Sequence, residues 1–298
     1  MKERFLLLYT LENKTIKITV SEHGAELHSI TGKKEGTEYL WNGDEKYWKY
    51  RSPVLFPIVG KLVDSTYIVD QKTYQLPAHG FGRISEFKMM NKTEESITLE
   101  LNYSEETLKV YPYRFSLQIT YVLAENSVKV IWQVKNLDDK TIFFSIGAHP
   151  ALLCPIDPKD RLEDCYLEFD QLETAEIMKI TPECYLKHQK KACLEHTKTL
   201  PLSQDTFKNG VLIFDQLKSD TITIKSKNNA KSISVKAKGF PYWGIWAPET
   251  GAPFLCLEPW FGHADFADFK GDFSEKAGNN SLEVGNEFSC CYEIKIGQ

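Results

Sequence analysis

The chain reads as an all-β protein, one large antiparallel β-sandwich spanning residues 1–298. Three observations predict this. Apolar residues recur at every second position in segment after segment, turn-forming clusters separate these segments, and no long amphipathic helical pattern intervenes. Strand follows strand without the crossover helices of a βαβ chain, so the strands pair antiparallel.

The apolar run Phe5 to Leu11 reads as a first strand. It follows Lys2 and Arg4 as an export signal would, but it is short, and charged Glu12 and Lys14 follow it with no small-residue cleavage site. Ile16, Ile18 and Val20 make the next apolar face, and Ile97, Leu99 and Leu101 another. Phe115, Leu117, Ile119 and Tyr121 precede Val128, Val130, Trp132 and Val134, with A-E-N-S at 124–127 as the turn between them. Ile222 and Ile224, then Ile233 and Val235, flank K-N-N at 227–229. Phe288, Cys290, Tyr292, Ile294 and Ile296 close the series, and the alternation turns one of Cys290 and Cys291 inward and the other outward. Further turns are expected at Asn42-Gly43 and at N-L-D-D, 136–139. Residues 150–210 lack the pattern and read as loop-rich, with room for a short helix.

Composition narrows the function. A hydrophobic content of 42%, with 17 Phe, 14 Tyr and 6 Trp, is enough for a large core. A net charge of −5, with the basic residues scattered, argues against a nucleic-acid partner. No apolar run approaches the length of a membrane helix, so the expected location is cytoplasmic. The N-x-S/T triplets at Asn13, Asn91 and Asn279 are then chance matches. Seven Cys, an odd number, favour free thiols over a disulfide framework. Cys184, His188, Cys193 and His196 interleave in a Lys-rich stretch unlike the usual paired zinc spacing, and read as a solvated loop rather than a metal site. There is no G-x-S-x-G, no phosphate-binding G-x-x-x-x-G-K-[ST], and no Ser or Cys in a nucleophile setting.

Three segments carry proton-transfer residues at strand ends. Glu258, in L-C-L-E-P-W-F-G, closes an apolar run, where desolvation raises a carboxyl pKa toward the range of a general base. His149, in S-I-G-A-H-P-A, precedes Pro150, and Gly147 and Ala148 leave room around its ring for a ligand. His79 opens H-G-F-G-R, where glycines permit close backbone approach. Trp243 and Trp246, with Trp260 and Phe261, supply aromatic faces of the kind that stack on sugar C–H surfaces, although core filling accounts for at least one of the first two. Arg51, Lys61 and Arg83 add cations that would grip hydroxyls or a phosphate.

At these residues the chain resembles the aldose 1-epimerase (galactose mutarotase) family, and more closely its bacterial LacX-like branch. The resemblance runs through V-S-E-H-G-A-E-L-H-S-I, L-W-N-G, R-S-P-V-L-F-P-I-V-G-K, H-G-F-G-R, G-A-H-P-A and L-E-P-W-F-G. It implies a galactose-mutarotase-like supersandwich, no cofactor, and interconversion of the α and β anomers of free aldoses. It implies Glu258 as the base for the anomeric hydroxyl, His149 as the acid for the ring oxygen, and His79 as the residue that holds and polarises the sugar. Lys61 falls where typical members carry a substrate-gripping Arg, and Asp215, in L-I-F-D, is the candidate for the hydroxyl-orienting Asp. A hexose-6-phosphate 1-epimerase and a non-catalytic sugar-binding module are the competing readings. A monomer or a homodimer is expected.

Overall fold

Period-two patterning becomes strands with one buried and one wetter face. The computed structural model describes residues 7–297. In Ile16–Ser21, Ser96–Asn102, Phe115–Ala124 and Ser127–Asn136 the apolar residues at alternate positions lie in the core, as burial of branched and aromatic side chains demands. The turn A-E-N-S closes Phe115–Ala124 onto Ser127–Asn136 with Ala124 opposite Ser127, and Glu125 takes the positive φ of 48° that so short a turn requires. Of the apolar run at the N-terminus, Leu8–Glu12 forms the first strand, and Phe5 and Leu6 lie outside the described residues.

All the named strand pairs are antiparallel. One sheet has fifteen strands; a second, of four, is formed by Leu8–Glu12, Ile16–Ser21, Leu27–Gly32 and Thr37–Glu38. Ile16, Ile18 and Val20 of the small sheet share one core cluster with Leu117, Val130, Ile224 and Ile233 of the large one, so the two sheets bury their apolar faces against each other. Trp132, Tyr39, Tyr111 and Phe56 are among its largest fully buried side chains.

Residues 150–210 correct the expectation of a loop-rich region. Cys165–Ile180 and Leu186–Pro201, 16 residues each, pair as one long hairpin. Leu186–Pro201 is exposed along most of its length, and bulges break the register with its partner. Cys165, Leu167 and Phe169 alternate into the core, but the rest of the hairpin is mostly exposed and broken by bulges, which leaves no sustained period-two signal to read. The helical content expected here is limited to short 3-10 turns at Leu162–Asp164 and Gln204–Phe207. Among the described residues the one α-helix is Glu105–Val110, capped by Ser104, whose side chain accepts from the Thr107 N–H.

The strand Phe254–Phe261 organises the end of the sheet where the proton-transfer residues meet. On one side it pairs with Tyr242–Trp246. On the other it pairs with two short strands, Ile146–Ala148 and Ala151–Leu153. Gly147 faces Trp260 and Ala151 faces Cys256, so the same register carried across the break puts His149 directly opposite Glu258. The break falls at His149-Pro150, where proline lacks the N–H that a continuous ladder needs.

A segment from Trp41 to Ser52 folds over this end of the sheet and is tied down by a buried carboxylate. Glu26 Oε1 accepts the N–H groups of Arg51 (2.7 Å) and Ser52 (3.0 Å), and its Oε2 lies 3.3 Å from His28 Nε2. Removing the acceptor strands both donors. Glu26→Ala is expected to cost about 2–6 kcal/mol, at about 1–3 kcal/mol per unsatisfied donor, with Glu26→Gln recovering most of it. Urea denaturation of the three proteins checks this; equal midpoints for wild type and the Ala variant would remove Glu26 as the anchor.

Candidate functional site

His149 Nε2 stands 3.3 Å from Glu258 Oε2 as a cross-strand pair, and the two side chains retain only 10% and 1% of their exposure. Together they form the floor of a cavity of about 230 Å³. At about 30 Å³ per water this is room for one small polar ligand and no chain of sugars. A larger recess, about 1070 Å³, is lined by Glu12, Lys14, Glu94 and Glu125 among others and contains no histidine. Its charged residues are a solvated rim, and the two histidines and Glu258 singled out from the sequence line the smaller cavity.

Glycines opposite Trp260 give the floor its shape. A Cβ on Gly147 would lie 2.5 Å from Trp260 Cδ1, and one on Gly244 would lie 2.4 Å from its Cζ2. The indole therefore occupies the space that these glycines leave, and its Nε1 donates to the Ala148 carbonyl at 3.2 Å. The room beside His149 that Gly147 provides is thus filled by Trp260 rather than kept for a ligand. The Trp48 ring stacks on the His149 ring at 4.8 Å, and Trp246 stands edge-on to it at 5.8 Å.

His79 forms a second wall. It sits at φ +64°, followed by Gly80 at φ +68°, where a Cβ would come within 2.3 Å of the Phe56 carbonyl oxygen, so only glycine fits that turn. The Gly60 N–H donates to His79 Nδ1 at 3.2 Å, and the His79 N–H donates to the Gly60 carbonyl at 2.7 Å. An accepting Nδ1 assigns the proton of the neutral ring to Nε2. Burial, with help from Arg83 and Lys61, pushes the His79 pKa down to about 3. The ring is therefore a neutral donor, 5.5 Å from that of His149.

Lys61 lines the cavity and donates to the Glu183 carbonyl at 3.0 Å. Glu183 and Cys184 lie in the turn of the long hairpin, and Cys184 also lines the cavity. The hairpin is held there by the Leu186 N–H donating to the Asp265 carbonyl, and the Asp265 N–H donates in turn to the Lys61 carbonyl.

The remaining residues singled out from the sequence lie elsewhere. Trp243, 2% exposed, points into the main core from the opposite face of its strand, and Trp246 takes the cavity side. Arg83 lies behind His79, with Nη2 donating to the Ala78 carbonyl at 2.8 Å and its guanidinium 4.7 Å from the Tyr50 ring centre. The Arg51 side chain packs by Gly43, outside the lining. Asp215 pairs with Lys190 of the hairpin at 2.7 Å and does not line the cavity. Sequence reasoning did not find Trp48 or Cys184 as lining residues. The aromatic crowding of E-K-Y-W-K-Y was the available signal for Trp48; nothing local marked Cys184. Among the described residues, the Cys184/His188/Cys193/His196 stretch forms no cluster of metal-ligand spacing, and His188 stacks on Phe266 and pairs with Asp268.

Electrostatics push both members of the floor pair toward their uncharged forms. Burial raises the Glu258 pKa well above 4.5, opposed by hydrogen bonding from Trp260. Burial lowers the His149 pKa well below 6.5, reinforced by His79 and Arg83.

Comparison with known proteins identifies the family and the fold. The family model described as aldose 1-epimerase matches residues 7–278. Protein LacX of Lactococcus lactis subsp. lactis is 35% identical over 260 residues, which is 85% of this chain and 87% of that protein. A galactose mutarotase related enzyme from Lactobacillus acidophilus superposes with a TM-score of 0.94 at 33% identity, covering 98% of each chain. A galactose mutarotase-like protein from Lactobacillus casei gives 0.92 at 30% identity, over 97% of this chain and all of that one. The chain belongs to the aldose 1-epimerase family and has the galactose-mutarotase-like fold. Among the described residues no helix is long and apolar enough to cross a membrane.

The raised Glu258 pKa has a consequence for stability. A folded-state pKa above the unfolded value of 4.5 means that stability is fully present below 4.5 and is lost as pH rises through the folded pKa. Glu258→Gln removes that loss. The variant is expected to melt above wild type at pH 8 and close to it at pH 4, by calorimetry; a variant less stable than wild type at pH 8 would contradict the assignment.

Proposed function

We propose that this protein is an aldose 1-epimerase that interconverts the α and β anomers of a free hexose, with Glu258 as base and His149 as acid. The observation that carries the reading is the cross-strand His149–Glu258 pair at the floor of a one-ligand cavity. The two oxygens that exchange protons in mutarotation are attached to the same carbon, so an acid and a base must stand side by side, as this pair does at 3.3 Å. Trp48 and Trp246 offer apolar faces for the sugar ring, and His79 Nε2–H is a fixed donor for the ring oxygen.

The proton count is balanced. Carboxylate plus imidazolium and carboxylic acid plus neutral imidazole carry the same number of protons. In ring opening Glu258 takes the anomeric hydroxyl proton, His149 gives its proton to the ring oxygen, and the C1–O5 bond breaks as C1 becomes a carbonyl. Rotation about C1–C2 presents the other carbonyl face, and reclosure returns both protons. Burial favours the uncharged pair, which is the partner of the open-chain sugar, so the site stabilises the side of the equilibrium that is scarce in water.

Of the three cations that would suit a sugar phosphate, only Lys61 lines the cavity. This supports a neutral hexose ahead of a hexose 6-phosphate. Polarimetry of freshly dissolved α-glucose and α-galactose tests the proposal. Wild type should speed relaxation to the anomeric equilibrium, and Glu258→Gln or His149→Gln should lower kcat by about 10²–10⁴-fold, the usual contribution of a general acid or base. Glucose 6-phosphate is the next substrate to try; sugar binding without turnover of any of the three would favour the binding module.

The pH profile is a second test. A further proton on the pair inactivates it, and the lowered His149 pKa places that limb below pH 6.5. Loss of the shared proton inactivates it too, and the raised Glu258 pKa places that limb well above pH 4.5. After subtraction of solvent catalysis, kcat should not rise through the ordinary imidazole range near pH 6.5. A steep rise centred at the ordinary imidazole pKa would count against it.

A further inference from the structure

Cys256 has no part in the sugar chemistry, yet it lies two residues before Glu258 on the same face of Phe254–Phe261 and is fully buried. Its Sγ, a ring nitrogen of His149 and a carboxylate oxygen of Glu258 all lie within 4.8 Å of one another, the only such trio among the described residues. His149 Nδ1 and Glu258 Oε2 are also buried without a hydrogen-bond partner. We propose that Cys256, His149 and Glu258 form an inhibitory binding site for a thiophilic divalent cation, with zinc the best match.

One sulfur, one imidazole nitrogen and one carboxylate oxygen are the donors that zinc takes. Bond lengths of about 2.0–2.3 Å in a tetrahedron put neighbouring donors about 3.4–3.7 Å apart. His149 Nε2 and Glu258 Oε2 already stand at 3.3 Å, so the remaining donor spacings need to close by only about an ångström. Three protein donors leave the fourth position for a water in the cavity. Zinc displaces two protons to solvent, that of the Cys256 thiol and the one that the His149–Glu258 pair holds, and forms bonds to the thiolate, the neutral imidazole and the carboxylate. Thiolate and carboxylate together supply two negative charges, which offset the repulsion from Lys61 across the cavity. Magnesium, which demands six oxygen donors, is a poor match. Binding does not depend on the function proposed above; inhibition does, because the metal would occupy both the base and the acid.

Cobalt(II) titration of chelator-treated protein reads the site without activity. Wild type and Cys184→Ser are expected to develop a near-ultraviolet thiolate-to-cobalt band that zinc abolishes, and Cys256→Ser is expected to lack it. Mutarotation by wild type should fall reversibly with micromolar zinc and be unaffected by magnesium. Cys256→Ser should keep its metal-free rate and need about 10–100-fold more zinc, the usual effect of weakening a metal shell. Cys256→Ala serves if the buried serine hydroxyl prevents folding. The proposal is overturned if wild type shows no band, if the band follows Cys184 instead, or if zinc inhibits the Cys256 variants equally. If wild type binds cobalt through Cys256 but turns over no sugar, the site stands and the epimerase reading fails.

Discussion

A carboxyl group held out of water with, among the described residues, no Lys or Arg ion pair is the constraint on which the rest of the site depends. Glu258 is 1% exposed, and its near polar neighbour is a histidine that burial keeps neutral. Such a group persists only where the surrounding packing is strong enough to offset its desolvation. That packing is supplied by Phe254–Phe261, flanked on both sides by strands, with Trp260 set between Gly147 and Gly244. The glycines and the indole are one device: removing either would open or overfill the floor beneath the pair.

The charges around the cavity follow the same logic. Arg83 is kept behind His79, where it lowers that imidazole's pKa and fixes the Ala78 turn without touching the cavity space. Among the described residues Lys61 is the one ammonium in the lining, and the hairpin turn holds it through a carbonyl rather than a carboxylate, which leaves its charge unneutralised there. The long, exposed hairpin Cys165–Ile180/Leu186–Pro201 adds little apolar burial over most of its length, and its role in the site is to bring Glu183 and Cys184 to the cavity edge.

Much of the fold was legible in the chain because alternate residues on a half-buried strand must differ in polarity. Ile97, Leu99 and Leu101 or Val128, Val130 and Trp132 admit one reading, and the structure buries all six. The hairpin at 165–201 was not legible for the converse reason: beyond Cys165, Leu167 and Phe169 it is mostly exposed, so alternation is imposed on only a few residues. The site was legible in part. The strand-end reading holds for His149, just after Ile146–Ala148, whereas Glu258 lies inside Phe254–Phe261 and His79 in the turn after Lys72–Gln75; the neighbouring Gly and Pro still pointed to the three, which line one cavity. Trp243 and Trp246 could not be told apart by composition, because strand parity assigns one to the core and the other to the cavity, and parity depends on which neighbour the strand packs against.

The sequence by itself determined the β class and the family, and it singled out His79, His149 and Glu258 as candidates, since each rests on local pattern or on short motifs. Only the tertiary structure decided that His149 and Glu258 share a register across the ladder, that Arg51, Arg83 and Asp215 stand outside the cavity, and that Trp48, Cys184 and Cys256 lie in or beside it. The reason is physical. Desolvation, and with it the proton affinities of the pair, is a property of what surrounds a side chain in space, and in an antiparallel sheet those surroundings come from strands far apart along the chain.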